Sequence, residues 1–379
     1  MANEHWFESS AGLYYVRDDL VVFYDDWDHW ANGFCRLLEI SDATAKQVVE
    51  TYAKTIAAPT ISLSAKIEAL RNSLKETLER ESFVGQSPQI ISYLDRQNIE
   101  ACGMAFDGCS ADTIFASSIS GNRERLIVGN KVLEYAWQVD AKTFKSVQAN
   151  SINYDELYFE SPPEAHLGMR NYTSDQDWRL EKARRQLRII KRNCQSSTAF
   201  NTALDVGCAA GYFRKALAEQ GLTHYGLEQS DDAIRICKEK FGFSTIQGEI
   251  IDLPTLSPQL IGKVDLITLW DVIEHLDDGL NALNILKQFL SKDGVIVIRT
   301  PNLVSLEYEI LGDYYYSFKL DHIKYFSPLS LSKVASLASL RNLYLESTSH
   351  IFKGFLGMDA MHQCNVSNTG ADIIAIYAR

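Results

Sequence analysis

From residue 203 onward, short apolar runs alternate with segments whose apolar residues recur at helical spacing. The runs 203–206, 224–228, 264–270 and 294–299 predict buried strands, and a shorter one falls near 244–247. Helical patterns cover 211–219, 231–241, 279–291 and, after an insertion, 329–340. Two further strand-like runs, near 342–349 and 372–378, close the pattern. Strand–helix alternation of this kind predicts an α/β fold with a doubly wound, mainly parallel sheet, Rossmann-like in outline.

The first 150 residues follow another rhythm. Residues 13–17 and 20–24 are rich in β-branched and aromatic side chains and read as strands. Residues 42–53 and 62–81 read as helices; in the second, Leu63, Ile67, Leu70, Leu74 and Leu78 share one face. From 100 to 150 the pattern is shorter and strand-like, with turns at Asp107-Gly108 and Gly121-Asn122. The expectation is an α+β accessory domain over 1–150, serving substrate binding or oligomerisation, and a second domain over 151–379. Tyr24-Asp-Asp-Trp-Asp-His-Trp30 either holds a sugar ring or cation between aromatics and acids or simply starts a helix. A helix over 178–192 carries an apolar stripe of Leu180, Ala183, Leu187 and Ile190. Its opposite face is basic, through Arg179, Lys182, Arg184, Arg185, Arg188, Lys191 and Arg192. That face is either solvated or attractive to a phosphate-bearing substrate.

The densest chemistry sits at Ala203-Leu-Asp-Val-Gly-Cys-Ala-Ala-Gly-Tyr-Phe213. An apolar run ends in Asp205; glycines follow at 207 and 211, with Cys208, Ala209 and Ala210 between them. A tight turn from strand to helix lets a flat ligand lie against backbone and helix N-terminus. About 20 residues past such a turn a ribose-binding acid is expected, and Glu228 closes the next apolar run there.

This region resembles the class I S-adenosylmethionine-dependent methyltransferases. It is most similar to the branch holding ubiquinone-biosynthesis O-methyltransferases and bacterial sugar and natural-product methyltransferases. The matching residues are 204–211, Gly226-Leu227-Glu228, Leu269-Trp270-Asp271-Val272-Ile273-Glu274-His275-Leu276, Gly294-Val295, Pro301-Asn302 and 322–328. The resemblance implies seven strands, the last antiparallel, and S-adenosylmethionine as cofactor. Ala209 departs from a position where the family often has glycine; its side chain is small enough that only a local adjustment is expected.

The resemblance also implies roles. Asp205, Gly207, Cys208, Ala209, Gly211, Tyr212 and Phe213 would line the methionine end of the cofactor. Glu228 and Gln229 would hold the ribose, and Gly248, Glu249 and Ile250 the adenine. Trp270 and Asp271 would lie beneath it, with Tyr158 and Tyr172 as candidates from the preceding segment. For transfer to a hydroxyl, His275 is the first candidate base and His322 the second, with Asp271 or Glu274 orienting the imidazole. Two other readings of Asp271-Val-Ile-Glu274-His275 stand beside this one. The group, with His322, could bind a divalent metal that activates the hydroxyl, or Glu274 and His275 could only fix a turn. The aromatic insertion 303–328 reads either as a substrate lid or as a patch docking the N-terminal domain or a second subunit.

Composition narrows the classes. A net charge of −12 argues against a general nucleic-acid binder. Neither an apolar stretch of ~18 residues nor a basic-then-apolar start is present, so a cytoplasmic protein with no membrane span is expected. Seven cysteines show no CxxC pair and no zinc spacing, which reads as reduced thiols. The expected acceptor is a sugar or small biosynthetic intermediate, with homodimerisation an option. The rivals are N- or C-methylation, RNA 2′-O-methylation and a non-catalytic cofactor-binding subunit.

Overall fold

The computed structural model describes residues 4–9, 12–17, 20–24, 42–55, 62–81, 89–93, 115–120, 123–128, 176–194, 200–311, 317, 322, 326–348, 352–356 and 367–379. In chain order the elements are β1 (Glu4–Ser9), β2 (Gly12–Arg17), β3 (Leu20–Tyr24), α1 (Asp42–Thr55), α2 (Leu63–Glu81), β4 (Gln89–Tyr93), β5 (Phe115–Ser120) and β6 (Arg123–Val128). Then come α3 (Gln176–Asn193), β7 (Thr202–Val206), α4 (Tyr212–Glu219), β8 (Thr223–Glu228), α5 (Asp231–Phe241), β9 (Ile246–Gln247), α6 (Leu253–Leu256) and β10 (Val264–Trp270). The last are α7 (Gly279–Phe289), β11 (Leu290–Pro301), α8 (Leu306–Leu311), α9 (Pro328–Leu337), β12 (Arg341–Thr348), α10 (Lys353–Leu356) and β13 (Asp372–Ala378).

Seven strands form one sheet in the order β12-β13-β11-β10-β7-β8-β9. Neighbours from β11 to β9 run parallel, while β13 is antiparallel to both β11 and β12. Side chains alternate between two buried faces, as strands covered on both sides require. Leu204, Val206, Ile267, Leu269, Ile296 and Ile298 pack with Leu283, Leu286 and Phe289 of α7. Ala203, Leu266, Val295, Val297, Ile374 and Ile376 pack with Ala183, Leu187 and Ile190 of α3 and Phe213 and Leu217 of α4. Each buried Leu, Ile or Phe contributes roughly 1.5–3 kcal/mol, so the two layers fix the strand ends that carry the site.

Several boundaries differ from the expectation; the helix expected over 329–340, for one, ends at Leu337. The helix expected over 279–291 stops at Phe289, because β11 begins at Leu290, opposite Val264. The register shifts just after that pair, and Gly294 sits where an added Cβ would lie 2.7 Å from the Val264 carbonyl oxygen. The strand near 244–247 shrinks to Ile246–Gln247, since Ser244 and Thr245 bind the buried side chain of Arg214.

Two smaller three-stranded antiparallel sheets, β1-β2-β3 and β4-β5-β6, lie in the N-terminal region. β5 and β6 pair antiparallel from Phe115 opposite Val128 to Ser120 opposite Arg123, and the turn expected at Gly121-Asn122 lies outside the described residues. Helices α1 and α2 reach the elements inserted after β11 and β12. Tyr52 donates to the Phe355 carbonyl at 2.7 Å and meets its ring edge-on. Arg71 bonds the Glu309 carbonyl and carboxylate at 3.2 and 3.3 Å. The described part of the insertion thus docks the N-terminal helices. Tyr24–Trp30 beyond Tyr24, Asp107-Gly108, Tyr158, Tyr172 and, within the insertion, Tyr314, Tyr315, Tyr316, Phe318 and Tyr325 lie outside the described residues.

Candidate active site

The turn after β7 is built from three positive-φ residues: Gly207 (φ 64), Ala209 (φ 44) and Gly211 (φ 80). At Gly207 an added Cβ would lie 2.6 Å from Val272 Cγ2, and at Gly211 2.5 Å from Cys237 Sγ. The turn is therefore pressed between the exit of β10 and helix α5, and neither glycine can be replaced without displacing a neighbour. Ala209 holds a left-handed conformation despite its Cβ, which costs roughly 1–2 kcal/mol. Its amide donates to Glu228 Oε2 at 2.9 Å. Glu228 Oε1 accepts from the amides of Gln229 and Ser230 at 2.9 and 3.0 Å. One buried carboxylate thus ties the ends of β7 and β8 together. Burial pushes its pKa up, and the three amides pull it back.

Asp205 is buried, and its Oδ1 accepts from the Thr268 hydroxyl at 2.7 Å. Burial pushes its pKa up to about 7, against the Thr268 bond and the charge of Arg214. Helix α4 starts at Gly211 with no side-chain cap, so its N-terminal amides face the turn. Acids that accept from hydroxyls or an ammonium, beside an uncapped helix end that suits a carboxylate, fit an amino-acid nucleoside. Tyr212 and Phe213 are buried; Phe213 packs on Trp270 with centroids 4.9 Å apart. The Trp270 indole nitrogen is buried without a hydrogen-bond partner. Beyond β9, Gly248 has φ 148, and its amide bonds the Glu228 carbonyl at 3.0 Å. Ile250 packs into the core, whereas Ile251 is 63% exposed.

The acid–histidine stretch divides into two groups. Asp271 leaves β10 at φ 57 and is ion-paired with Arg299, which also pairs with Asp372 at the start of β13. Glu274 and His275 lie in a short 3₁₀ turn, closed by the His275 amide on the Val272 carbonyl at 3.0 Å. Glu274 is buried, and its Oε2 accepts from the Thr300 hydroxyl at 3.0 Å. Burial, then the charge of Asp271, raises its pKa well above the carboxylate range. The rings of His275 and His322 stand edge-on, centroids 4.9 Å apart. Glu274, His275 and His322 offer ligand atoms all within 4.8 Å of one another. Asp271, braced by Arg299, stands outside that trio.

Thr268, Arg299, Thr300 and Arg214 were not singled out by the motifs. For Arg299 a signal existed: a charge closing the run Val-Ile-Val-Ile. Arg214 likewise falls on the same helical stripe as Leu217. On α3, Arg184, Arg188 and Lys191 meet surface partners in Glu219, Glu181 and Gln220. Lys182 differs. Burial pushes its pKa down to about 8, and Arg299 adds to the shift while Asp271 and Asp372 oppose it.

A methyltransferase-domain family model matches residues 178–345. The ubiquinone biosynthesis O-methyltransferase of Thiobacillus denitrificans is 23% identical over 163 residues, covering 41% of this chain and 70% of that protein. Its counterpart from Actinobacillus pleuropneumoniae is 27% identical over 154 residues, covering 36% and 64%. The match thus spans roughly two thirds of those relatives' length. A solved S-adenosylmethionine-dependent methyltransferase from Archaeoglobus fulgidus aligns over 55% of this chain and 99% of its own, with 19% identity and a TM-score of 0.42.

Proposed function

We propose, for a chain whose residues 178–345 belong to the class I S-adenosylmethionine-dependent methyltransferases, that it methylates a hydroxyl of a sugar or small biosynthetic intermediate. The observation that carries this reading is the His275–His322 pair beyond the end of β10. When bound, S-adenosylmethionine supplies the methyl group and a thioether leaving group. An alcohol becomes strongly acidic as its oxygen is alkylated, so a base is needed there. His275 takes that proton at an imidazole nitrogen. His322 crowds its ring from the side, and Glu274 anchors the turn through Thr300. Asp205, Glu228 and the turn from Gly207 to Gly211 hold the cofactor in place, so that the acceptor is aligned by position rather than by covalent chemistry. The O-methyltransferase names of the ubiquinone relatives support oxygen as the acceptor atom.

A second reading has one specific observation behind it. The Glu274–His275–His322 trio has the donor set and spacing for a divalent ion, which would activate the hydroxyl directly. Initial rates on a panel of hydroxylated acceptors, with and without a chelator, test both. Activity unaffected by chelation and lost in His275→Ala supports the histidine base. Activity abolished by chelation supports the metal. Methylation confined to amines would overturn both.

A further inference from the structure

Helix α4 carries a buried arginine that the chemistry above does not use. Arg214 is 2% exposed. It donates to the Ser244 carbonyl at 2.7 Å, to the Thr245 hydroxyl at 2.9 Å and to Cys237 Sγ at 3.5 Å, and it lies 5.0 Å from the centre of the Phe243 ring. Every one of these partners is neutral. A cation taken out of water on neutral acceptors alone is expensive, and burial is tolerated where an opposite charge stands close.

The strand register locates that charge. Gly226 of β8 lies directly opposite Asp205 of β7. A Cβ on Gly226 would lie 2.8 Å from Arg214 Cδ, 2.9 Å from Arg214 Nη1 and 2.5 Å from Cys208 Sγ. The arginine therefore fills the space that a side chain at 226 would take. Opposed residues share a face of the sheet, and strands lie about 4.8 Å apart. The guanidinium is thus roughly one strand spacing from the Asp205 side chain. The groups around Asp205 are the Thr268 hydroxyl from β10, Glu228 from β8, the Cys208 thiol from the turn and Arg214 from α4. Cys237 of α5 accepts from the arginine and also feels the charge of Asp205. Among these groups Arg214 is the one cation, set against two buried acids.

We propose that Arg214 is a positioning residue of the cofactor site, lodged in the space left by Gly226, whose charge keeps Asp205 a carboxylate for a cationic ligand. Without it, burial and the neighbouring Glu228 would both favour the neutral acid, with the Thr268 bond alone against them. The proposal rests on the cofactor reading above, and it gives Gly226 a role apart from the turn glycines.

The test is calorimetric titration of the full chain with S-adenosylhomocysteine from pH 5.5 to 8.5. In the wild-type protein affinity falls as the pH drops below about 7, the range in which Asp205 takes up its proton. Arg214→Gln moves that limb upward by roughly one to three pH units. Binding at pH 6 is then at least about tenfold weaker than in wild type. Arg214→Lys, which keeps the charge, leaves the limb within half of that displacement. Gly226→Ala, whose Cβ evicts the guanidinium, reproduces the shift of Arg214→Gln, and Asp205→Asn flattens the profile. Where Arg214→Gln does not fold, Gly226→Ala carries the test. A wild-type limb in either of these two variants, or a limb persisting in Asp205→Asn, would overturn the proposal. No binding by wild type at any pH would overturn the cofactor reading and this proposal with it.

Discussion

Glu228 and Ala209 stand nineteen residues apart and meet in one hydrogen bond, amide to carboxylate, at 2.9 Å. The residue that departs from the glycine of related turns is thus the one the second acid holds. Glu228→Ala removes acceptors from three amides at once. Bonds to a charged group contribute about 1.5–3 kcal/mol each. Affinity for S-adenosylhomocysteine should fall by at least about tenfold, together with the melting temperature. Glu228→Gln should recover part of both. Calorimetric titration showing unchanged affinity would remove Glu228 from the cofactor site.

Ala209→Gly tests the strain in the same turn. Glycine relieves a cost of roughly 1–2 kcal/mol in the left-handed region, offset by the larger entropy of the unfolded glycine chain. The expected net effect is a small gain in stability, under about 1 kcal/mol, with cofactor affinity unchanged. Denaturant unfolding measures it; a clear loss would mean that the alanine methyl makes a contact of its own.

His275→Ala should lower turnover by about 10²–10⁴-fold, the usual share of a general base, while S-adenosylhomocysteine affinity stays within about twofold of wild type. Steady-state rates at saturating cofactor separate the two. Normal turnover would shift the base role to His322 or away from histidine altogether.

Thermal unfolding with manganese or magnesium and then a chelator examines the Glu274–His275–His322 trio. Under the histidine-base reading, the melting shift given by the nucleoside is indifferent to chelation. A metal-dependent increment that chelation removes, and that His322→Ala abolishes, would instead make these three residues ligands.

Asp205 also predicts how the ligand-free protein responds to pH. Its folded pKa is raised to about 7, chiefly by burial, above the unfolded carboxylate value of about 4. Between those values the folded state binds more protons than the unfolded one. Its contribution therefore lowers stability as pH rises from about 4 to 7, and no further above that. Glu228, also raised by burial, acts in the same direction. Melting curves across this window should show a shallower fall in Asp205→Asn than in wild type.

Much of this architecture could be read from the chain because it rests on short-range signals. Period-2 and period-3.6 patterns placed β7, β8, β10 and β13 nearly to the residue. The spacing from the glycine turn to Glu228 singled out the acid that now joins β7 to β8. What escaped depends on pairing across the sheet. Thr268 matters because β10 lies beside β7, and Thr300 because β11 lies beside β10. Neither pairing is encoded by local periodicity. Asp271 stays close enough to Glu274 for its charge to raise that acid's pKa, yet its ion pair was not legible. Arg299, on the next strand, draws Asp271 into a different partnership. Contacts of Tyr52 with Phe355 and of Arg71 with Glu309 likewise join residues far apart in sequence that no local pattern pairs.

The brace formed by Arg299 depends on contacts far apart in the chain. Its first partner, Asp271, is 28 residues away and just past the end of the adjacent strand; its second, Asp372, is 73 residues away and on a strand that runs the other way. Closing so long a span carries a larger entropic cost than joining neighbouring strands. The exit of β10, with Asp271 in an unfavourable left-handed backbone, has both anchors only after β13 has slotted between β11 and β12. The Glu228 clasp between β7 and β8 spans only nineteen residues and joins neighbouring strands, so its closure carries the smaller entropic cost.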